Sequence, residues 1–160
     1  MSAYVRPARA GDAPLIHIFI AELAEYEQLA HEAKASIADL DAALFGLSPR
    51  VFADIAEVDD VAVGMALWFY SFSTFTGRHG IYLEDLFVRS KARGSGAGRA
   101  LLSGLARRCI DQGLTRLEWW VLDWNEPALG FYAKLGAVPQ DQWTVQRLSG
   151  AALERLAEGG

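Results

Sequence analysis

One stretch limits the possible folds more than any other. Ile81–Val88 reads as a strand, glycines follow at Gly94, Gly96 and Gly98, Arg99–Gln112 reads as a helix, and Arg116–Leu122 reads as another strand. In the helix, Leu101, Leu102, Leu105 and Cys109 share one face, and Ser103, Arg107 and Asp111 share the other. Gly113 ends it. A strand–helix–strand crossover of this kind joins parallel neighbours. The preceding segment demands the opposite. Val51–Val58 and Val61–Phe72 flank Asp59-Asp60, which is a hairpin signal and therefore antiparallel. Both demands are met by an α/β (mixed α+β) fold: a central mixed, mostly antiparallel sheet with helices on both faces.

The remaining segments fill in this frame. Ala3–Pro7 is a short strand that stops at its proline. Asp12 is placed to cap a helix with Pro14 in its first turn, and Leu15, Ile18, Phe19, Leu23 and Tyr26 recur at helical spacing. Ser36 with Asp39 three residues on forms a variant capping box, ahead of the stripe Ile37, Leu40 and Leu44. Ser73–Gly80 reads as a loop. Asn125 caps a helix with Pro127 in its first turn, and Gly136 stops it. Thr144–Leu148 reads as a last strand, followed by a short helix. No repeat or linker divides the chain, so residues 1–160 read as a single domain.

Totals remove several function classes. Net charge is −5, which disfavours a nucleic-acid scaffold, because phosphate backbones need a basic face. The single Cys109 allows neither an internal disulfide nor a Cys-rich zinc site, and His17, His31 and His79 lack ligand spacing, so no metal is expected. No signal-like start and no apolar run of about 18 residues occurs, which predicts a soluble cytoplasmic protein with no membrane partner. No Gly-x-Ser-x-Gly elbow is present for a serine hydrolase. Trp119, Trp120 and Trp124 lack basic interleaving and read as packing residues.

Against the acidic total, Arg89–Arg108 carries six basic residues and no acidic one. Glycines ahead of a helix suit a phosphate, since the backbone can approach closely and the helix N-terminus offers unpaired N–H groups. A Walker loop fails because Arg99-Ala100 follows Gly98. A dinucleotide fingerprint fails because Arg99 or Leu101 stands where its third glycine belongs. Arg-x-x-Gly-x-Gly is met by Arg93, Gly96 and Gly98. A plain turn before a helix fits the same glycines.

Further segments carry a resemblance: Tyr82-Leu83-Glu84-Asp85-Leu86-Phe87-Val88, Val121-Leu122-Asp123-Trp124-Asn125 and Phe131-Tyr132-Ala133-Lys134-Leu135-Gly136-Ala137, with Glu22–Glu27 and Tyr70–Arg78 upstream. Together with the glycine loop, this set resembles the spermidine/spermine N-acetyltransferase branch of the GCN5-related N-acetyltransferase (GNAT) superfamily. The resemblance implies the GNAT fold and acetyl-CoA as co-substrate. Leu86, Phe87 and Val88 would offer strand backbone to the acetyl and pantetheine groups. Arg93, Gly94, Ser95, Gly96, Ala97, Gly98 and Arg99 would cradle the pyrophosphate. Asn125 and Ala128 would contact the cofactor arm, and Tyr132 would lie near the sulfur. Glu84 would face the amine, with Tyr26, Glu27 and Phe75 at the substrate end. A homodimer is implied, and the C-terminal strands are its expected interface.

The chemistry makes demands of its own. A lysine-like amine is protonated near neutrality, with a pKa of about 10.4, and needs a proton acceptor before it can attack. Simple alternation puts Glu84 on the face of Tyr82, Leu86 and Val88, where an unpaired carboxylate is costly to bury. The resemblance, more than burial, makes Glu84 the expected base, directly or through water; a structural Glu84 paired with an arginine such as Arg116 is the alternative, and Asp85, pointing the other way, is expected to be structural. The departing thiolate gains from an acid, and a tyrosine hydroxyl of pKa about 10 can serve a thiol of about 8.5. Asn125, Leu129 and Tyr132 stand at i, i+4 and i+7, on one helical face. Polyamine-specific members carry Asp-Pro-Trp where this chain has Ser73-Thr74-Phe75, which resembles instead the members that acetylate thialysine. The expected substrate is a small lysine-like amino acid or a diamine. A non-catalytic acyl-CoA sensor and a protein N-acetyltransferase are the alternatives.

Overall fold

A computed structural model describes residues 2–159. The chain forms two compact units, one ending at Leu122 and the other beginning at Asp123. The first unit contains β1 (Tyr4–Pro7), α1 (Ala13–Tyr26), α2 (Ile37–Phe45), β2 (Phe52–Val58), β3 (Val61–Ser73), β4 (Arg78–Val88), α3 (Ala97–Gln112) and β5 (Leu117–Trp119). Its sheet runs β1-β2-β3-β4-β5, antiparallel throughout except for the parallel pair β4–β5. This is the mixed, mostly antiparallel sheet expected from the hairpin and the crossover.

Helices cover both faces. Ala13, Ile16 and Phe19 of α1 and Leu40 and Leu44 of α2 bury themselves against Ala53, Ile55, Met65, Leu67 and Phe87. Phe19 and Phe87 meet with ring centroids 5.9 Å apart. Each such side chain, fully buried, contributes about 1.5–3 kcal/mol. The buried stripe of α1 runs through Ile16, whereas Ile18 faces solvent, so the expected stripe is rotated. On the other face, α3 buries Ala97, Leu101, Leu102, Leu105 and Cys109. Its Arg108 lies 4.6 Å over the ring of Trp68.

Local signals explain most boundaries. The Ser36–Asp39 capping box forms as expected, and Asp59 and Asp60 both take positive φ, 51° and 60°, in the β2–β3 turn. Asp12 sits at the start of α1 but its side chain caps nothing. Arg6 claims its carboxylate at 2.7 Å, and the backbone N–H of Arg9 donates to it at 2.9 Å. These bonds hold the Asp12 carboxyl below its usual range. The β3–β4 connection is shorter than expected, since Ser73 pairs with Arg78 and only residues 74–77 lie outside the ladder. Polar residues and a glycine at Arg78–Gly80 disguised that strand as loop.

Gly64 permits a close approach between β3 and β4. A Cβ there would strike the carbonyl oxygen of Phe87 and crowd Val88. Gly64→Ala is expected to cost about 1–3 kcal/mol, as overpacking does, read as a lowered thermal midpoint. An unchanged midpoint would mean that the strands part at no cost.

The second unit holds α4 (Glu126–Lys134) and α5 (Gly150–Ala157). The expected strand at Thr144–Leu148 does not form, and Val145 and Leu148 are exposed. A strand needs a neighbouring edge, and no ladder among the described residues takes this segment up. No helix among the described residues is long and apolar enough to cross a membrane.

Candidate active site

The parallel pair β4–β5 is brief: Ile81, Tyr82 and Leu83 face Leu117, Glu118 and Trp119. Beyond Leu83, β4 continues to Val88 with no strand neighbour on that side among the described residues. Its outward N–H and C=O groups from Glu84 to Val88, including Leu86 and Phe87, lack a strand partner there. An open edge of this kind can pair with an extended ligand.

A bulge interrupts β4 at the start of this edge. Leu83 pairs with Trp68 and Asp85 with Leu67, which leaves Glu84 as an extra residue. The extra residue changes which side chains share a face. Leu67 belongs to the α1–α2 face, so Asp85 opposite it does too. The ring of Tyr82 packs tilted against Phe69, two residues from Leu67 on the same side of β3, with centroids 5.0 Å apart. Asp85 thus lies on the face of Tyr82 and Phe87, while Leu86, opposite Ala66, lies on the other. The expectation that Glu84 shares a face with both Tyr82 and Leu86 is overturned, because no residue can. Glu84 is also exposed, so the burial argument fails for it as well.

Burial falls on Asp85 instead. It is half-buried and has no hydrogen-bonding or ion-pairing partner among the described residues. Burial pushes its carboxyl up to about 6, with the charges of Glu84 and Glu27 adding to the shift. Glu27, just past the end of α1, is itself raised by burial. Tyr82 is pushed up to about 12, first by burial and then by Glu84, Glu118 and Asp85. Its phenol therefore stays protonated.

Beside Glu27, Tyr26 carries the guanidinium of Arg93 over its ring at 4.9 Å. The glycine loop follows from Arg93. Gly94 and Gly96 hold φ of 86° and 87°, a left-handed conformation that favours glycine. A Cβ added at either position would meet nothing within 4 Å, so conformation rather than crowding calls for glycine there. Ser95 Oγ accepts from the N–H of Ala97 at 3.3 Å. The first helical bond of α3 runs from Ala100 N–H to Gly96, so the N–H groups of Gly98 and Arg99 have no intrahelical acceptor. No acidic side chain occupies this first turn. Backbone donors, a positive helix end and an exposed Arg99 suit a polyanion. Arg89 does not join them: Glu22 binds it at 2.8 Å and Phe19 lies beneath it at 4.9 Å.

The loop, the β4 edge, Tyr26, Glu27, Glu84 and Asp85 belong to one unit. Phe75 is in the same unit but stands almost fully exposed in the β3–β4 loop. The extended strand from Arg78 to Glu84 alone spans roughly 20 Å, so Phe75 does not join the others. In the second unit Asn125 is buried and caps α4, accepting from Ala128 N–H at 3.4 Å. Tyr132, on the same helix, packs against Phe131 at 5.5 Å.

A model of the acetyltransferase (GNAT) family matches residues 16–137, a span that crosses both units. Over 164 residues the chain is 37% identical to a thialysine N-epsilon-acetyltransferase of Bos taurus, covering 96% of each chain. It is 28% identical to an L-ornithine N5-acetyltransferase of Arabidopsis thaliana, covering 98% of this chain and 88% of that one. Among solved structures it is similar to an integron cassette protein of V. cholerae, with TM-score 0.81, 31% identity and 99% coverage of both chains.

Proposed function

The chain belongs to the GNAT acetyltransferase family, and on that premise we propose that it acetylates the primary amine of a small lysine-like amino acid or a diamine. Acetyl-CoA, the family's co-substrate, supplies a thioester carbonyl for the amine to attack. The observation that carries the reading is the open edge of β4 running into the uncapped, glycine-lined start of α3. Backbone from Leu86 to Val88 would hold the acyl arm, and Gly94–Arg99 would hold the pyrophosphate. Strand N–H groups also suit the oxyanion that forms on attack. Tyr26 and Glu27 would line the amine end, where carboxyl groups favour a cation. The relatives named for thialysine and L-ornithine support an amino acid with a side-chain amine.

Residue roles follow from the resemblance. Asn125 and Ala128 would receive the cofactor arm, Tyr132 would protonate the departing thiolate, and Glu84 would accept a proton through water. An exposed Glu84 suits only that indirect role. No covalent enzyme intermediate is required, and Cys109 is buried on the apolar side of α3. A homodimer, as the resemblance implies, belongs to the same proposal, and sedimentation equilibrium tests it.

The test is thiol release from acetyl-CoA across an amine panel. Thialysine, ornithine, lysine and short diamines are expected to turn over. Robust acetylation of spermine with none of these would overturn the substrate class. Tight CoA binding without turnover would favour a sensor. Tyr132→Phe is expected to lower kcat by about 100-fold, the lower range of general acid catalysis, and a loss below about threefold would remove Tyr132 as the acid.

A further inference from the structure

The bulge in β4 separates two neighbouring carboxyl groups into different settings. Glu84 is the unpaired extra residue and reaches solvent. Asp85 opposes Leu67 and is turned to the α1–α2 face, at the start of the open edge. We propose that Asp85 meets the substrate ammonium and takes its first proton, and that Glu84 passes this proton to water. The inference rests on the acetyltransferase reading and assigns a role to a residue outside it.

The charges around Asp85 favour this role. Those acting on it are carboxylates, Glu84 on its own strand and Glu27 from the end of α1. Tyr82, on the same strand, stays a neutral phenol. Across β3 its neighbour is the apolar Leu67. The cations at this end are engaged: Glu22 holds Arg89, and Arg93 lies on Tyr26. A half-buried carboxylate with carboxylate neighbours and no cationic partner among the described residues is a receptor for a cation brought by the substrate. Asp85 is raised to about 6, so near pH 7.5 it is mostly ionised yet more basic than an ordinary aspartate.

The proton balance closes. An N–H bond of the ammonium breaks and its electron pair stays on nitrogen, while an O–H bond forms on Asp85. That pair attacks the thioester carbon, and the carbon–sulfur bond breaks with its electrons on sulfur. The nitrogen then gives up a second proton, which restores the one that Tyr132, in its proposed role, gives to the departing thiolate. Asp85 returns its proton through Glu84 and water, so each turnover releases one proton to solvent.

The experiment is the pH dependence of kcat/KM for thiol release with the best amine of the panel, in the parent, Asp85→Asn and Glu84→Gln. The parent is expected to show an acid limb near pH 6. Asp85→Asn should lose that limb and fall by about 100-fold at pH 7.5, its rate then following the free amine upward with pH. Glu84→Gln should keep the limb and lose less than about tenfold. A far-ultraviolet spectrum and thermal midpoint confirm that each variant is folded. An active parent with an acid limb unchanged in Asp85→Asn, or lost only in Glu84→Gln, would overturn the inference alone. A parent silent toward every amine would overturn the acetyltransferase reading, and the inference with it.

Discussion

Asp54→Ala is expected to destabilise the protein by about 3 kcal/mol or more, in the range found when one partner of a buried ion pair is removed. Asp54 lies on β2 with 5% of its surface exposed. Its Oδ2 accepts from Trp68 Nε1 at 3.0 Å and from Arg108 Nη1 at 3.2 Å. Arg108 also lies on the Trp68 ring, so three residues from β2, β3 and α3 lock together. Truncating Asp54 strands a buried indole N–H, at about 1–3 kcal/mol, and leaves the guanidinium unpaired. Arg108→Met should cost a similar amount by leaving the carboxylate with Trp68 alone. The double variant Asp54→Leu, Arg108→Met should lose clearly less than the two single losses combined, because neither charge is then left uncompensated. Urea denaturation at pH 7 measures all three. A loss below about 1 kcal/mol for Asp54→Ala would mean that desolvation already cancels the network.

That network marks where sequence reading stops. Local signals were legible: the Ser36–Asp39 box, the Asp59-Asp60 turn and the crossover before Leu117 each depend on a few adjacent residues. So was the glycine loop, because the need for left-handed backbone at Gly94 and Gly96 is written in residue type. Pairings across the chain were not. Glu22 meets Arg89 from 67 residues away, which removes a cation that composition alone offers to a phosphate. Asp12 looked like a cap until Arg6 took its carboxylate. Thr144–Leu148 reads as a strand, but five residues of sequence cannot supply the neighbour a strand requires.

The bulge is the sharpest case. Tyr82-Leu83-Glu84-Asp85-Leu86-Phe87 has two adjacent acids between apolar pairs, and strict alternation assigns Glu84 to the face of Tyr82. A bulge is a property of the pairing, two residues against one, so β4 alone does not disclose it. Once Leu67 and Trp68 are known to face Asp85 and Leu83, the assignment reverses. The candidate base suggested by resemblance and the carboxyl favoured by burial then become neighbours with different tasks.

A functional carboxyl held in this way should lower stability, and Asp85→Asn is expected to recover it. In the folded chain Asp85 is raised from 3.8 to about 6. Between these values the folded state binds more protons than the unfolded state, so the contribution of Asp85 to stability falls as pH rises. The penalty is absent below about pH 4 and complete above about pH 6. Asparagine keeps the shape and carries no charge. The variant should therefore match the parent near pH 3.5, gain on it through pH 4–6, and hold a constant advantage at pH 7–8. The shift sets a ceiling of about 3 kcal/mol on that advantage, and partial contact with solvent reduces it. Thermal midpoints across this pH range measure the difference. A gain that is equal at all pH values would point to packing rather than charge, and a loss at pH 7.5 would show that the carboxylate has a stabilising partner. A variant that is more stable at pH 7.5 yet far slower in thiol release would mean that Asp85 is kept charged against the interest of the fold, because the ammonium it meets compensates only when substrate is bound.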